Sequence, residues 1–259
     1  MLLAIDAGNT SISAGCLENG ELICKAQFSA ERRTADELAV LIGQALRMRG
    51  VDTTAFEGAA MACVVPPFLE VLREAARLIT GHAPLVVGAG VKTGLNIGID
   101  DPSTLGADLV ASAVAAVNGR TPPVIIADLG TATTIFVIDA SARLLGGAIL
   151  PGAAVSLEAL AGTASLLPSI PFEAPKRCIG TNTNDCMKSG AVFGTASAID
   201  GMIDRFEHEL GDTETRLVAT GYLASRIVPY CRHELEIDED LTMKGLAMIW
   251  ERNKRIRKK

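Results

Sequence analysis

Two short phrases of one type, about half the chain apart, carry the side chains best suited to chemistry. The first reads Asp6-Ala7-Gly8 and the second reads Asp128-Leu129-Gly130. Each follows an apolar run typical of a buried strand, and each precedes a second run with strand character. A carboxylate and a glycine at the turn between two strands allow the backbone and a cation to approach a phosphate closely. The duplication therefore predicts two phosphate-binding turns in one chain.

The residues around both turns supply the donors and acceptors that a phosphate site needs. Gly8 and Gly130 allow close approach of the backbone. Asp6 is suited to hold Mg²⁺ directly or through water, because magnesium prefers few carboxylates and several waters. Asp128 is suited to the same role or to binding a monovalent cation. The hydroxyl groups able to donate to phosphate oxygens belong to Thr10, Ser11, Thr131 and Thr133.

A third carboxylate, Asp108, follows Gly106 at the predicted start of a helix. Two interpretations stay open at this point. A carboxylate in the first turn of a helix satisfies free amides and the helix dipole. Beside two phosphate-binding turns it can instead accept the proton of a substrate hydroxyl, since phosphoryl transfer depends mainly on positioning and charge neutralisation.

Composition limits the class of protein and of partner. The chain has 259 residues, of which 49% are apolar, and its formal net charge is −6. The negative charge argues against wide contact with nucleic acid, which needs a basic face. No apolar stretch reaches membrane-spanning length without breaks, and the acid at position 6 argues against a secretory leader. The six cysteines include no C-x-x-C pair, which favours free thiols and a cytoplasmic location over disulfides or zinc.

The order of predicted elements repeats in the two halves. The first half opens with a hairpin around Asn19-Gly20 and continues with a helix that Thr34 caps, with Glu37 closing a capping box. A small-residue helix is predicted over residues 106–118. The second half repeats three strands and then mixes helices with one strand, over residues 124–128, 133–138, 144–149, 156–162, 180–206, 216–220 and 242–252. This order predicts two α/β domains of one fold, residues 1–118 and 119–259, facing across a cleft.

Three segments of the second half are candidates for ligand contact, and each also has a structural interpretation. The glycine-rich residues 146–152 allow close approach at a strand end or form a tight turn. Residues 218–221 end a strand in a way that suits a loop under adenine and ribose. Thr183 either caps the long helix or presents its hydroxyl to a substrate. The chain lacks Gly-x-x-x-x-Gly-Lys-[Ser/Thr], which excludes a Walker-type site.

Taken in order, these segments resemble the type III pantothenate kinases, members of the acetate kinase, sugar kinase, Hsp70 and actin superfamily. The matching segments run along nearly the whole chain and are residues 6–10, 34–38, 63–66, 106–108, 128–134, 146–152, 180–183 and 240–246. The resemblance implies two ribonuclease H-like, actin-like ATPase domains related by duplication. Residues 1–118 would carry the first phosphate loop, and residues 119–259 the second loop and a dimer contact.

The resemblance also implies an activity and a set of site residues. The activity is ATP-dependent phosphorylation of pantothenate to 4'-phosphopantothenate, the first step of coenzyme A biosynthesis, by a homodimer in the bacterial cytoplasm. Asp108 would be the general base, Thr131 would contact ATP, and the metal ligands would be Asp6 for Mg²⁺ and Asp128 for K⁺ or NH₄⁺. The first phosphate loop would consist of Asp6, Ala7, Gly8, Asn9, Thr10, Ser11, Ile12 and Ser13. The residues bordering pantothenate would be Gly106, Ala107, Asp108, Leu109 and Thr183.

Five positions depart from the family pattern. Leu109 stands where an arginine usually follows Gly-Ala-Asp, and Ile99 stands near the place of a usual tyrosine. Phe136 replaces an aspartate, Thr181 replaces a common basic residue, and Tyr222 replaces a second glycine after Thr-Gly. Because leucine cannot replace an arginine fork to a carboxylate, these changes predict a weakened grip on an anionic acceptor.

Two alternatives to pantothenate kinase activity therefore stay open. One is a paralogue that binds nucleotide and acts as a regulatory or binding protein. The other is a kinase for an uncharged hydroxyl compound.

Overall fold

The computed structural model describes residues 1–257. The strands, in chain order, are β1 (Leu2–Ala7), β2 (Ser11–Glu18), β3 (Glu21–Ser29), β4 (Gly58–Cys63), β5 (Leu85–Val86), β6 (Asn96–Ile97), β7 (Val124–Leu129), β8 (Ala132–Ile138), β9 (Arg143–Pro151), β10 (Arg216–Thr220) and β11 (Glu236–Ile237). The α-helices are α1 (Ala35–Arg47), α2 (Pro66–Thr80), α3 (Ala107–Val117), α4 (Ala153–Thr163), α5 (Thr183–Ser189), α6 (Thr195–Glu209), α7 (Ala224–Ile227) and α8 (Leu241–Arg257). None of these helices combines the length and the apolar character that a membrane crossing requires.

Contacts divide the chain into two compact units. Unit 1 consists of Met1–Leu95, Asp100–Asn118 and the segment that begins at Asp240, and unit 2 consists of Asn96–Ile99 and Gly119–Glu239. The units thus separate between residues 118 and 119, where the sequence places the domain boundary, but the C-terminal segment lies with the first unit. The domain assignment itself stays a prediction. Lys258 and Lys259, which it includes, lie outside the described residues.

Unit 1 is built on a sheet with the strand order β3-β2-β1-β4-β5. β1 pairs antiparallel with β2 and parallel with β4. The turn from β2 to β3 has positive φ at Asn19 (52°) and Gly20 (86°), which Asn-Gly pairs adopt more easily than other residues. The apolar residues of β1 are buried in the core of the unit, so this strand holds a fixed position from which Asp6 emerges at the carboxyl end.

The helices of unit 1 show why the C-terminal segment belongs there. α1 begins as the sequence predicts, since the Glu37 N–H donates to Thr34 Oγ1 at 3.3 Å and the Thr34 N–H donates to Glu37 Oε2 at 2.7 Å. α8 lies close against α3 because Gly245 has no side chain, and a methyl group there would overlap with the carbonyl oxygen of Ala111. α8 also packs on β1 and β4. The last helix therefore completes the core of unit 1, although it follows unit 2 in the sequence.

Unit 2 repeats the central arrangement of unit 1. Its sheet has the strand order β11-β10-β7-β8-β9-β6. β7 pairs antiparallel with β8 and parallel with β10, and β8 pairs antiparallel with β9. The order β9-β8-β7-β10 corresponds to β3-β2-β1-β4, which confirms the predicted duplication of an α/β fold. Each Asp-x-Gly phrase thus lies at the end of the central strand of its own unit.

Two features of unit 2 are absent from the sequence prediction. β6 and β11 are two-residue strands, too short for an alternating pattern to show. The helix predicted within residues 180–206 is divided, because a π-helical segment, Gly190–Gly194, joins α5 to α6. Glycine lowers helix propensity at both ends of that segment, and such wide turns are frequent at functional sites.

Candidate active site

The first Asp-x-Gly phrase forms a tight turn at the end of β1. The Gly8 N–H donates to the Ser11 carbonyl oxygen at 3.0 Å, which closes the turn and leaves Asn9 and Thr10 exposed at its tip. Asp6 is half-buried and pairs in register with Ser13 of β2. Of the other predicted loop residues, Ala7 and Ile12 have fully buried side chains. These two residues therefore offer only backbone groups to a ligand, and the polar side chains of the turn offer the rest.

Asp108 lies in the first turn of α3 and is largely enclosed. Its Oδ1 accepts the Leu109 backbone N–H at 2.7 Å, as the interpretation of a helix-start carboxylate expects. Burial nevertheless raises the pKa of the Asp108 carboxyl, and the hydrogen bonds from backbone N–H groups offset this only in part. A carboxylate whose pKa is raised by burial is better matched to accepting a proton near neutral pH. The site thus supports the catalytic interpretation without removing the structural one.

The loop before Asp108 meets the end of β4 in unit 1. The loop packs closely there, since a methyl group on Gly106 would overlap with Asp108 Oδ1 and would lie 3.6 Å from Val64 Cγ1. The Val64 N–H in turn donates to the Ala7 carbonyl oxygen at 3.1 Å. The Asp6 turn, the residues after β4 and the Asp108 loop therefore meet at the carboxyl ends of two parallel strands. Ligands of α/β sheets bind at this edge.

Cys63 also lies at the carboxyl end of β4, and sequence analysis did not assign it to the site. Its thiol donates to the Val65 carbonyl oxygen at 3.2 Å. Burial raises the pKa of the Cys63 thiol, and the neighbouring Asp6 carboxylate raises it further. The thiol is therefore neutral beside Asp6. The only sequence signal for this neighbour is the pairing of β1 with β4, which a single sequence does not show.

The second Asp-x-Gly phrase has a corresponding environment in unit 2. The Gly130 N–H donates to the Ala132 carbonyl oxygen at 3.0 Å, which closes the turn. Gly221, after β10, has a φ of +90°, and a methyl group on it would lie 2.5 Å from Asp128 Oδ1. Gly152, after β9, is similarly constrained, because a methyl group would overlap with the carbonyl oxygen of Thr131. Two of the predicted glycine segments thus provide close approach around Asp128.

The two hydroxyl residues that follow Asp128-Leu129-Gly130, Thr131 and Thr133, differ in burial. Thr131 is half-buried at the turn. Thr133 is only 2% exposed, and its Oγ1 is buried without a hydrogen bond to any described residue. This burial does not support the expectation that Thr133 donates to a phosphate.

Thr183 lies on the exposed surface as the first residue of α5. The interpretation of Thr183 as an N-cap is wrong, because the cap is Asn182, whose Oδ1 accepts the Asp185 N–H at 2.9 Å. The hydroxyl of Thr183 is therefore not committed to capping, and contact with a substrate stays a prediction.

The positions that depart from the family pattern fall into two groups. Leu109 and Ile99 are half-buried, and Ile99 lies near Gly146 of β9. Thr181 and Tyr222 are exposed, the latter by 51%. Phe136 is half-buried on β8. Leu109 lies on α3 and Phe136 on β8, whereas the other three residues lie outside the helices and strands.

The donor set fits the metal chemistry expected of a nucleotide site. Across residues 1–257 there is no group of three or more His, Cys, Asp or Glu residues that would hold an ion without help from a ligand. Asp6 and Asp128 each offer one carboxylate beside a phosphate-type turn. Mg²⁺ is commonly bound by one or two carboxylates together with waters and substrate phosphates. The residues present therefore fit a cation that arrives with a nucleotide.

Two solved structures share this architecture. The activator of 2-hydroxyisocaproyl-CoA dehydratase from Clostridium difficile, solved with bound ADPNP, aligns with a TM-score of 0.54 at 13% identity, over 100% of this chain and 97% of that chain. The inorganic polyphosphate/ATP-glucomannokinase from Arthrobacter sp. strain KM aligns with a TM-score of 0.50 at 14% identity, over 97% and 98% of the two chains. The chain thus has the duplicated two-domain α/β fold of actin-like ATPases and sugar kinases.

Sequence comparison defines the family within that class. A family model described as type III pantothenate kinase matches residues 2–205. The type III pantothenate kinase of Moorella thermoacetica is 39% identical over 254 residues, which cover 98% of this chain and 100% of that protein. This chain belongs to the type III pantothenate kinase family and is a small-molecule kinase. The resemblance and the fold class inferred from the sequence are confirmed.

Proposed function

We propose that this chain transfers the γ-phosphoryl group of ATP to the primary hydroxyl of pantothenate, giving 4'-phosphopantothenate and ADP. This reaction is the first step of coenzyme A biosynthesis. One observation carries the proposal: the family model described as type III pantothenate kinase matches residues 2–205 of the chain.

Asp108 has the central role in the proposed mechanism. Its carboxylate accepts the proton of the pantothenate hydroxyl as that oxygen attacks the γ-phosphorus, and the bond between the γ-phosphorus and its bridging oxygen breaks to release ADP. The Leu109 N–H donates a hydrogen bond that holds the carboxylate in position. Bound Mg²⁺ neutralises charge on the phosphates. Since little covalent chemistry falls to the protein, one positioned base and phosphate contacts are sufficient.

The remaining site residues are proposed in the roles that the family pattern gives them. Residues 6–13 bind the phosphates of ATP, with Asp6 holding Mg²⁺, and Thr131 contacts ATP. Asp128 holds K⁺ or NH₄⁺. The residues that border pantothenate are Gly106, Ala107, Asp108, Leu109 and Thr183.

A coupled assay of ADP release tests the activity. With ATP, Mg²⁺, K⁺ and pantothenate, the chain is expected to release ADP at a rate that falls to the background level when pantothenate is omitted. A lack of pantothenate-dependent turnover at high enzyme concentration would contradict the substrate assignment. Nucleotide binding by calorimetry without turnover would instead support a regulatory or binding protein.

Leu109 favours one second candidate, a kinase for an uncharged hydroxyl compound. The half-buried leucine offers no positive charge to an acceptor carboxylate. A charge-assisted hydrogen bond is worth about 1.5–3 kcal/mol, so its absence costs affinity for an anion and nothing for a neutral acceptor.

Leu109→Arg is therefore expected to lower KM for pantothenate about tenfold, since about 1.4 kcal/mol corresponds to one factor of ten. The measurement compares pantothenate with its alcohol analogue, in which a hydroxymethyl group replaces the carboxylate. The arginine variant should gain only on pantothenate, and Leu109→Met, which keeps the volume, should gain on neither. An equal change for both acceptors would show that the carboxylate does not lie near position 109.

We also propose that the chain forms a homodimer through unit 2 and acts in the cytoplasm. Unit 2 exposes several large apolar side chains that a partner could cover, including Ile149 (73%), Leu166 (91%) and Ile179 (83%). Sedimentation equilibrium is expected to give twice the mass of the chain, and Ile149→Glu should shift the distribution toward the monomer. A monomer at all concentrations would contradict this proposal. The matched control is Ile23→Glu, at an exposed residue of unit 1.

A further inference from the structure

The hydrogen bonds that the structure describes for the Asp108 carboxylate come from its own helix. They are donated by the backbone N–H groups of Leu109, at 2.7 Å, and of Asp108 itself. The cap residue of α3 is Gly106, so no side chain holds the start of this helix by a capping hydrogen bond. The direction of the carboxylate is therefore set by the position and rotation of α3 as a whole.

The sequence of α3 gives the helix few means of fixing its own rotation. Residues 110–116 are all buried, and they consist of alanine and valine with the exception of Ser112. Small apolar side chains can repack without much loss of stability, whereas a buried polar group must meet its partner. Ser112 is 2% exposed, and it is the one residue of this stretch whose side chain can specify a rotation by hydrogen bonding.

Thr242, in the first turn of α8, is the partner of Ser112. The two hydroxyl oxygens lie 2.8 Å apart, and either of them can be the donor. Ser112 follows Asp108 by four residues, so it lies about 6 Å further along the same face of α3. The pair of hydroxyl groups is therefore one helical turn away from the candidate base.

The start of α8 is itself anchored to the sheet of unit 1. Lys25 of β3 forms an ion pair with Asp240, which directly precedes α8. α8 also packs on β1, the strand that carries Asp6 near its end. The Ser112–Thr242 pair thus joins the helix of Asp108 to the sheet that holds Asp6.

We propose that Thr242 is a positioning residue for Asp108 and acts through Ser112. Its hydroxyl fixes the rotation of α3 and hence the direction in which the Asp108 carboxylate faces the acceptor hydroxyl. This inference rests on the proposed function, since it requires Asp108 to be the base. It gives a role to the first turn of α8, which the proposed mechanism leaves unused.

Steady-state kinetics of Thr242→Val, which keeps the shape of the side chain, tests the proposal. The variant is expected to lower kcat with pantothenate about tenfold, because a misplacement of about 1 Å can cost about a hundredfold. KM for ATP should stay unchanged, because the proposed phosphate-binding turns lie outside α3. Thr242→Ser keeps the hydroxyl and should retain the kcat of wild type.

The double variant Ser112→Ala with Thr242→Val separates positioning from stability. Removal of both partners leaves neither hydroxyl unpaired, so the unfolding temperature should recover most of what Thr242→Val loses. The rotation of α3 remains unspecified, so kcat should stay low. A kcat that recovers together with the unfolding temperature would show that the pair only stabilises the fold, and the positioning role would be wrong.

Amide hydrogen exchange at Leu109, followed by NMR, gives a readout that needs no turnover. The Leu109 N–H donates to the Asp108 carboxylate, so displacement of this group in Thr242→Val should speed the exchange several-fold. Thr80→Val is the matched control, because Thr80 is a buried threonine of unit 1 whose hydroxyl donates to the Ala76 carbonyl oxygen at 2.9 Å. It loses a hydrogen bond away from α3, so Leu109 exchange and kcat should both stay as in wild type.

The possible outcomes distinguish this inference from the proposed function. Wild-type kcat and wild-type Leu109 exchange in Thr242→Val would overturn the positioning role, even where Asp108→Asn abolishes turnover. Turnover that survives in Asp108→Asn would contradict the proposed function and the positioning role together. If wild type does not phosphorylate pantothenate, Leu109 exchange still decides whether Thr242 holds Asp108 in place.

Discussion

Asp108→Asn is expected to lower kcat about a thousandfold, within the range of about 10²–10⁴ that general acid–base catalysis contributes. Asparagine keeps the shape of the side chain and can still accept the Leu109 N–H, but it cannot take the proton of the attacking hydroxyl. Because positioning remains intact, KM for ATP should change little. Steady-state kinetics with pantothenate as the varied substrate provides the measurement.

Asp36→Asn is the matched control for this variant, because Asp36 is an exposed acid in the first turn of α1. It should leave kcat unchanged. A similar kcat for Asp108→Asn and wild type would contradict the assignment of Asp108 as the base.

The raised pKa of Asp108 also predicts how activity and stability depend on pH. Burial raises this pKa, so kcat/KM of the wild type should fall on the acid side at a higher pH than an ordinary aspartate would give. For stability, a carboxyl with a raised pKa in the folded state favours folding at low pH and loses that contribution as pH rises through the pKa. At neutral pH the ionised Asp108 therefore costs stability, and Asp108→Asn should unfold at an equal or higher temperature.

Asp6→Asn is expected to lower kcat/KM for ATP about a hundredfold, the scale on which removal of one charge-stabilising group acts. The amide keeps the geometry of the turn but removes the charge that holds Mg²⁺. The loss should shrink as Mg²⁺ is raised at fixed ATP, because weaker metal binding is then partly overcome by mass action. A Mg²⁺ titration of initial rates provides the measurement.

Asp52→Asn serves as the comparison for Asp6→Asn. Asp52 is exposed and caps a short 3-10 helix, where asparagine caps equally well. It should behave as wild type. An unchanged Mg²⁺ dependence in Asp6→Asn would show that Asp6 is not the magnesium ligand.

Local signals in the sequence were sufficient for much of the fold. The Thr34–Glu37 capping box and the Asn19-Gly20 turn depend on neighbouring residues, and both form as predicted. The duplication was visible because each unit repeats its central strands in the same order. The packing of α8 in unit 1 was not predictable, since it depends on Gly245 meeting Ala111 across a separation of more than a hundred residues.

For the candidate site too, local sequence signals were informative and long-range contacts were not predictable. Residue types and spacing were enough to select Asp6, Asp108 and Asp128 as candidates, because the first and third stand near strand ends and Asp108 stands at the start of a helix. The burial of Asp108 and the position of the neutral Cys63 beside Asp6 depend on tertiary contacts, which one sequence does not reveal. Thr183 was one candidate for the cap of α5, and the structure gives that role to Asn182; both are capping residue types, which only the backbone distinguishes.

The most direct test of the account is mass-spectrometric detection of phosphoryl transfer from ATP to pantothenate, with wild type and Asp108→Asn at equal concentration. We expect wild type to form 4'-phosphopantothenate in step with ADP, and the variant to form almost none in the same time. Product formed at the same rate by both proteins, or ADP released by wild type without any phosphorylated pantothenate, would contradict it.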